Sequence, residues 1–184
     1  MQESATRGVR GLVPFWAATA AALLAAVSAL AADSTGTSFA VAPPGPGGAT
    51  ALALAPNLSF TDDSSSNFPI RGENLDDGKI ARDRPTAIFF GTSHCWNTNR
   101  EAERFVAVYG KKKEVARFLV VDLERPSAEQ RALVSKFYRG YIPTLAFLDS
   151  SGKVVYNDAG ETANRRGDSS SLEEILGKAS AAAR

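Results

Sequence analysis

Two short apolar runs constrain this chain more than any other feature. The first is Thr86-Ala87-Ile88-Phe89-Phe90, started by Pro85, and the second is Phe118-Leu119-Val120-Val121, within Val115 to Leu123. Uninterrupted β-branched and aromatic runs of this length read as strands buried on both faces, as in a parallel sheet. Parallel neighbours need a long crossover, and the segment between the runs supplies one. From Asn97 to Tyr109, Ala102, Phe105, Val106 and Tyr109 recur at helical spacing, while Arg100, Glu101, Glu103 and Arg104 fall elsewhere on the helix. Such a crossover is right-handed by default.

The flanking segments extend the pattern. Asn74 to Arg84 reads as a short helix with Leu75 and Ile80 inward, closed by Pro85. Lys111-Lys112-Lys113 reads as a solvated bend. Pro126 suits a first helical position, and Ala128 to Tyr138 follows with Leu133, Val134, Phe137 and Tyr138 on one face. Then Thr144 to Leu148 and Lys153 to Tyr156 are strands joined by Asp149-Ser150-Ser151-Gly152, a hairpin loop with glycine where a positive φ is expected. Ser170 or Ser171 caps a last helix whose Leu172, Ile175 and Leu176 point inward, and Ser170 with Glu173 fits a capping box. The predicted order is β-α-β-α-β-β-α, an α/β fold with a central mixed β-sheet flanked by helices.

The 184 residues exceed what that domain needs. Residues 12–32 form an uncharged, alanine-rich apolar run preceded by Arg7 and Arg10, which reads as a signal peptide or a membrane anchor. Small residues at Ala29 and Ala31 fit cleavage near Ala32, and the run is also about long enough to span a bilayer. Either reading exports the domain, periplasmic or extracellular, with tethering through residues 12–32 in the second. No cysteine directly follows the run, so a lipid anchor there is not supported. Residues 33–67 are rich in Ser, Thr, Gly, Pro and Ala, contain no Lys or Arg, and read as a flexible linker spanning on the order of 30 Å. Within it Leu52, Leu54, Leu58 and Phe60 alternate weakly as an edge-strand candidate. Residues 68–184 are then the folded domain.

Removing Arg7, Arg10 and Glu3 from 21 basic and 20 acidic residues leaves 19 of each, so the exported part has zero formal charge. Nothing in that balance recruits nucleic acid. Cys95 is the only cysteine and His94 the only histidine. One cysteine makes no internal disulfide, and an odd cysteine in an exported protein points to intermolecular pairing or a reactive thiol; the bland alternative is a small buried hydrophobe. Cys95 stands where the first strand ends and the long helix begins, where unpaired amides and the helix dipole favour an anion.

Two motifs carry a resemblance. Phe90-Gly91-Thr92-Ser93-His94-Cys95-Trp96-Asn97-Thr98 looks like the active-site strand and Trp-Cys-x-x-Cys turn of the thioredoxin superfamily, in particular of bacterial exported thioredoxin-like domains. Tyr141-Ile142-Pro143-Thr144-Leu145, followed by the hairpin from Phe147 to Val155, is similar to that family's cis-proline segment and closing hairpin. The resemblance runs from about Asn74 to Ala179 and implies a thioredoxin-like fold with Ile142–Pro143 cis beside the thiol. A cis-proline loop can present the backbone of Ile142 to an extended substrate strand.

The departures limit the chemistry. Thr98 stands where the family has its second cysteine, His94 where it usually has tryptophan, and Phe89 where thioredoxin has its buried acid. A dithiol cycle within one molecule is therefore not available. What remains is a monothiol reading: Cys95 attacks a client disulfide, and an external thiol resolves the mixed disulfide. Thr98, one turn on, is positioned to donate its hydroxyl to the sulfur; His94 donates a proton or is a solvent-facing replacement for tryptophan. Trp96, Ile142 and Pro143 form the expected client surface. The partners are client thiols or disulfides and an external thiol donor, with no cofactor and no metal. The competing readings are a redox-inactive peptide-binding module and, more remotely, a metal or iron–sulfur site shared between two chains.

Overall fold

The computed structural model describes residues 51–160 and 166–182. The apolar run at 12–32 and the linker up to residue 50 lie outside the described residues. The elements are β1 (Ala53–Leu54), β2 (Ile70–Arg71), β3 (Thr86–Gly91), α1 (Trp96–Lys112), β4 (Arg117–Asp122), α2 (Gln130–Phe137), β5 (Thr144–Leu148), β6 (Val154–Ala159) and α3 (Ser170–Ala181). β1 and β2 pair with each other, and the main sheet has the order β4-β3-β5-β6. β3 and β4 run parallel in the register Phe89 to Val120 and Gly91 to Asp122. β5 lies antiparallel to β3, with Thr144 opposite Phe90, and β6 antiparallel to β5.

The two apolar runs are uninterrupted because they feed two cores. Ala87, Phe89, Phe118, Val120, Leu145 and Phe147 face a core with Phe105 and Val108 of α1 and Leu172 and Leu176 of α3. Ile88, Phe90, Leu119, Val121, Ala146 and Leu148 face the other, closed by Leu133 and Phe137 of α2. Alternate side chains go to opposite faces of a strand, so a strand with helices on both faces needs apolar residues at every position. Phe105 alone, fully buried, contributes about 2 kcal/mol of transfer free energy.

Several predicted elements differ from those observed. Residues 74–84 form no helix: Asn74 has φ 54°, and the segment runs as turns and a single bridge along the open edge of β4. Side chains from the neighbouring elements take its carbonyls. Gln130 Nε2 donates to Leu75 O at 2.5 Å and to Val120 O at 2.8 Å, while Arg117 Nε donates to Lys79 O at 2.6 Å and its guanidinium pairs with Asp77. Those bonds substitute for helical ones and cover the edge strand. Gly78 is needed there, since a Cβ would lie 2.6 Å from the carbonyl carbon of Glu129. Ile80 is buried as expected.

α1 continues through Lys111 and Lys112 instead of bending, which puts two cations where the helix dipole is negative. α2 is helical from Gln130 and not from Ala128, and Ser127 and Gln130 bond each other across the turn that leads into it, with Gln130 N–H on Ser127 Oγ at 3.1 Å and Ser127 N–H on Gln130 Oε1 at 3.2 Å. The start of α3 is Ser169, not Ser170 or Ser171, and its hydroxyl donates to Glu173 at 2.7 Å. Lys111 from α1 donates to both, at 3.0 and 2.6 Å, so an inter-helix link displaces the local capping box.

The last part of the linker reading is also corrected. Residues 51–67 are folded: β1 lies within them, Leu52 is buried in the α1 core, and the loop after it packs on the start of α1. The polar composition reads as a tether because its bonds are to distant residues that local sequence cannot show.

Candidate functional site

The sheet register assembles the site. β3 ends at Gly91 and β5 begins at Thr144; because Thr144 pairs with Phe90, Pro143 arrives at the same sheet end as Gly91 and the turn leading to Cys95. The Ile142–Pro143 bond is cis. Pro143 O accepts Gly160 N–H at 2.9 Å, which ties the proline segment to the end of β6. Gly160 permits this approach, since a Cβ there would lie 2.8 Å from both Pro143 Cγ and Glu101 Cγ.

Cys95 is half-buried and directly precedes α1, with extended backbone and no hydrogen bond from its side chain to the helix amides. His94 before it is exposed and turns the chain in the left-handed region at φ 51°. Trp96 begins the helix half-buried, with the Arg100 guanidinium 4.5 Å from its ring centroid. One face of the indole is therefore covered by a cation of the same helix. Ile142 is 39% exposed and Tyr141 is 59% exposed, so apolar surface lines the approach to Pro143, itself buried.

Thr98 lies deeper than the other site residues. It is fully buried, its methyl packed so closely on Gly91 that a Cβ on the glycine would come within 2.5 Å. Its hydroxyl has no hydrogen-bond partner among the described residues. A buried hydroxyl without a partner carries a desolvation cost.

A second set of residues, not expected from the sequence, surrounds the helix start. The 59–65 loop lies against it through several bonds. Trp96 N–H donates to Asp63 Oδ1 at 2.9 Å, His94 N–H to Ser65 O at 3.2 Å, Asn99 Nδ2 to Ser59 O at 2.6 Å, and Arg100 Nε to Phe60 O at 2.6 Å. Arg166 stacks on Phe60 at 3.9 Å and binds both carboxylate oxygens of Glu103, at 3.0 and 3.1 Å. Hydrogen bonds from Ser64 and then Ser59 hold the Asp62 carboxyl below the ordinary range. The polar run from Thr61 to Ser66 signals a turn, but nothing in it signals a partner on α1.

Under the proline segment, Glu101 and Arg104 form a buried ion pair at 2.8 Å, and Arg104 also donates to Asp168 O and Ser171 Oγ. At the end of β4, burial pushes the carboxyl of Asp122 up. Among the described residues no group of three or more His, Cys, Asp or Glu is placed to hold a metal ion.

The strand order β4-β3-β5-β6, with α1 and α3 packed on one face and α2 on the other, is the helix-flanked mixed α/β sheet that the sequence predicts. On it the chain carries a single thiol followed one turn later by a buried threonine. No model of a known family matches the chain, and no curated protein matches it. Solved structures do. Thioredoxin of Fasciola hepatica is 20% identical, over 53% of this chain and 83% of that one, with a TM-score of 0.41. The exposed lipoprotein thioredoxin of Streptococcus pneumoniae is 14% identical, over 62% and 95%, with a TM-score of 0.43. A thiol:disulfide interchange protein of Chlorobium tepidum is 15% identical, over 76% and 99%, with a TM-score of 0.43.

Proposed function

We propose that the protein exchanges thiols with client proteins through Cys95, using an external thiol to finish each cycle. The observation that carries this reading is the half-buried Cys95 at the start of α1, at the sheet end where Pro143 enters. In the first step the Cys95 thiolate attacks one sulfur of a client disulfide. A Cys95–client disulfide forms, the client S–S bond breaks, and the departing thiolate takes a proton, for which His94 is the nearest exposed donor in sequence. In the second step an external thiolate attacks the client sulfur of the mixed disulfide and Cys95 leaves as thiolate, so no net oxidation occurs at Cys95. Thr98, whose hydroxyl is otherwise unpartnered, donates to the sulfur anion. Trp96 and Ile142 hold the client, with the backbone of Ile142 pairing to an extended segment.

The reaction takes place outside the cytoplasm in this reading, with the apolar run at 12–32 as export signal or anchor. Among the described residues no helix is long and apolar enough to cross a membrane.

A second reading, a binding module without chemistry, is favoured by the exposure of Tyr141 and Ile142. Treating the full chain with a small disulfide and weighing the product separates the two. Exchange requires a mixed disulfide on the wild type and none on Cys95→Ser. A binding module keeps its client in Cys95→Ser, and a wild-type thiol that never forms the mixed disulfide ends the exchange reading.

A further inference from the structure

Beside the open edge of β4, the α1 face of the sheet holds a cavity of about 260 Å³. Phe68, Ile70, Leu75 and Val120 give it apolar walls, and all four belong to the α1 core or pack against it. Contacts between distant segments fix these walls. Gln130 Nε2 holds Leu75 O at 2.5 Å and Val120 O at 2.8 Å, and the Phe68 ring meets Phe89 edge-on with centroids 6.4 Å apart. A cavity bounded in this way is formed before anything enters it, as most small-molecule sites are. Its volume falls just under the range usual for drug-sized ligands, roughly 300–1,000 Å³, so its occupant is compact.

Three charged side chains line the same space: Asp76, Asp122 and Arg125. Asp122, half-buried at the end of β4, accepts the Glu124 N–H at 3.0 Å, and no cationic side chain among the described residues bonds its carboxylate. Desolvation pushes that carboxyl up, against the opposing pull of the Glu124 amide and the Arg125 charge. Asp76 is exposed; its carbonyl takes the Ser127 hydroxyl at 2.6 Å, while its carboxylate forms no ion pair among the described residues. Arg125 is exposed and bonds neither carboxylate. Two carboxylates against one guanidinium leave the lining with one negative charge in excess. A part-buried carboxylate without a cationic partner, set among apolar walls, is complemented by a cation that brings its own apolar body.

We propose that this cavity binds a small organic cation, a primary ammonium on a compact apolar body, with the ammonium on Asp122 and the body against Phe68, Ile70, Leu75 and Val120. The site stands apart from the exchange reading, since no residue of the Cys95 turn lines it.

Calorimetric titration of the full chain with three probes of one shape tests this: phenethylamine, cationic at neutral pH, phenethyl alcohol, which is neutral, and hydrocinnamate, an anion. Backbone amide shifts in nuclear magnetic resonance locate the bound probe. Phenethylamine should bind saturably at millimolar or lower concentration and move the amides of Leu75, Asp122 and Glu124. The alcohol should bind about tenfold more weakly, and hydrocinnamate more weakly still. Asp122→Asn keeps an acceptor for the Glu124 N–H and removes the charge. It should lower the affinity for phenethylamine about tenfold and leave that for the alcohol as in wild type. Should that chain fail to fold, Asp76→Asn, an exposed substitution, should lower the affinity for phenethylamine about threefold, and an unchanged affinity there overturns the proposal. The proposal is equally overturned by the absence of saturable amine binding, by equal affinities for amine and alcohol, by tighter binding of hydrocinnamate, by shifts confined to other parts of the domain, or by an Asp122→Asn chain that binds the amine as wild type does.

Discussion

The side-chain amide of Asn99, fully buried on the first turn of α1, donates to the hydroxyl of Ser65 at 3.0 Å and so joins the start of α1 to a loop far upstream in the chain. The same amide nitrogen reaches Ser59 O at 2.6 Å. Removing Asn99 takes one donor from Ser65 Oγ, which is buried, and one from Ser59 O, which is partly buried. Asn99→Ala should therefore destabilise the protein by about 1–3 kcal/mol. Urea unfolding followed by tryptophan fluorescence measures it, and the 59–65 loop should become more sensitive to protease than in wild type.

Thr98→Val removes a buried hydroxyl that has no partner while keeping the shape that packs on Gly91. Stability should stay level or rise by about 1 kcal/mol. If the hydroxyl serves the sulfur anion, mixed-disulfide formation should slow several-fold in the same variant. A chain that is destabilised by more than about 1 kcal/mol would show that the hydroxyl is satisfied in solution.

Cys95→Ser removes the thiol on which the proposed exchange depends and should have an independent effect on folding. Cys95 occupies the residue before α1 and its side chain makes no capping bond. Serine is among the preferred residues at that position, because its oxygen accepts from amides one turn on. The variant should be at least as stable as wild type, by up to about 1 kcal/mol, in thermal unfolding monitored by circular dichroism.

Glu173 links α3 to α1 through Lys111 and is bonded by Ser169, and these partners, Lys111 first, hold its carboxyl below the ordinary range. A carboxyl lowered in the folded state adds stability above its unfolded value, and that stability is lost as pH falls through the folded value. The melting temperature of wild type should thus exceed that of Glu173→Gln at neutral pH, and the gap should close below about pH 4. A gap that is constant with pH would show that the link does not depend on charge.

The strands were legible in the sequence because their burial on two faces leaves an unbroken apolar signature, as in Phe118 to Val121. α1 was legible because Ala102, Phe105 and Tyr109 repeat at the helical period. Residues 74–84 were misread because their apolar spacing at Leu75 and Ile80 suits a helix equally well. What excluded the helix was Gln130 and Arg117 claiming the carbonyls of Leu75 and Lys79 from across the sheet edge. The folded part of residues 51–67 was misread for the same kind of reason: Asp63, Ser59 and Ser65 form bonds with α1, and a run of small polar residues looks identical whether its partners are water or a helix.

By itself the sequence determined the layered α/β core, the position of the lone thiol at a strand-to-helix junction, and the absence of a second cysteine one turn later. Those properties follow from local periodicity and residue identity. Only the tertiary structure decided what surrounds the thiol. Asp63 on the amide of Trp96, Thr98 shut against Gly91, and Pro143 brought level with Gly91 all depend on hydrogen bonds and packing between segments far apart in the chain. Such contacts are set by strand register and by competition among polar groups for buried partners, and neither leaves a periodic mark in the sequence.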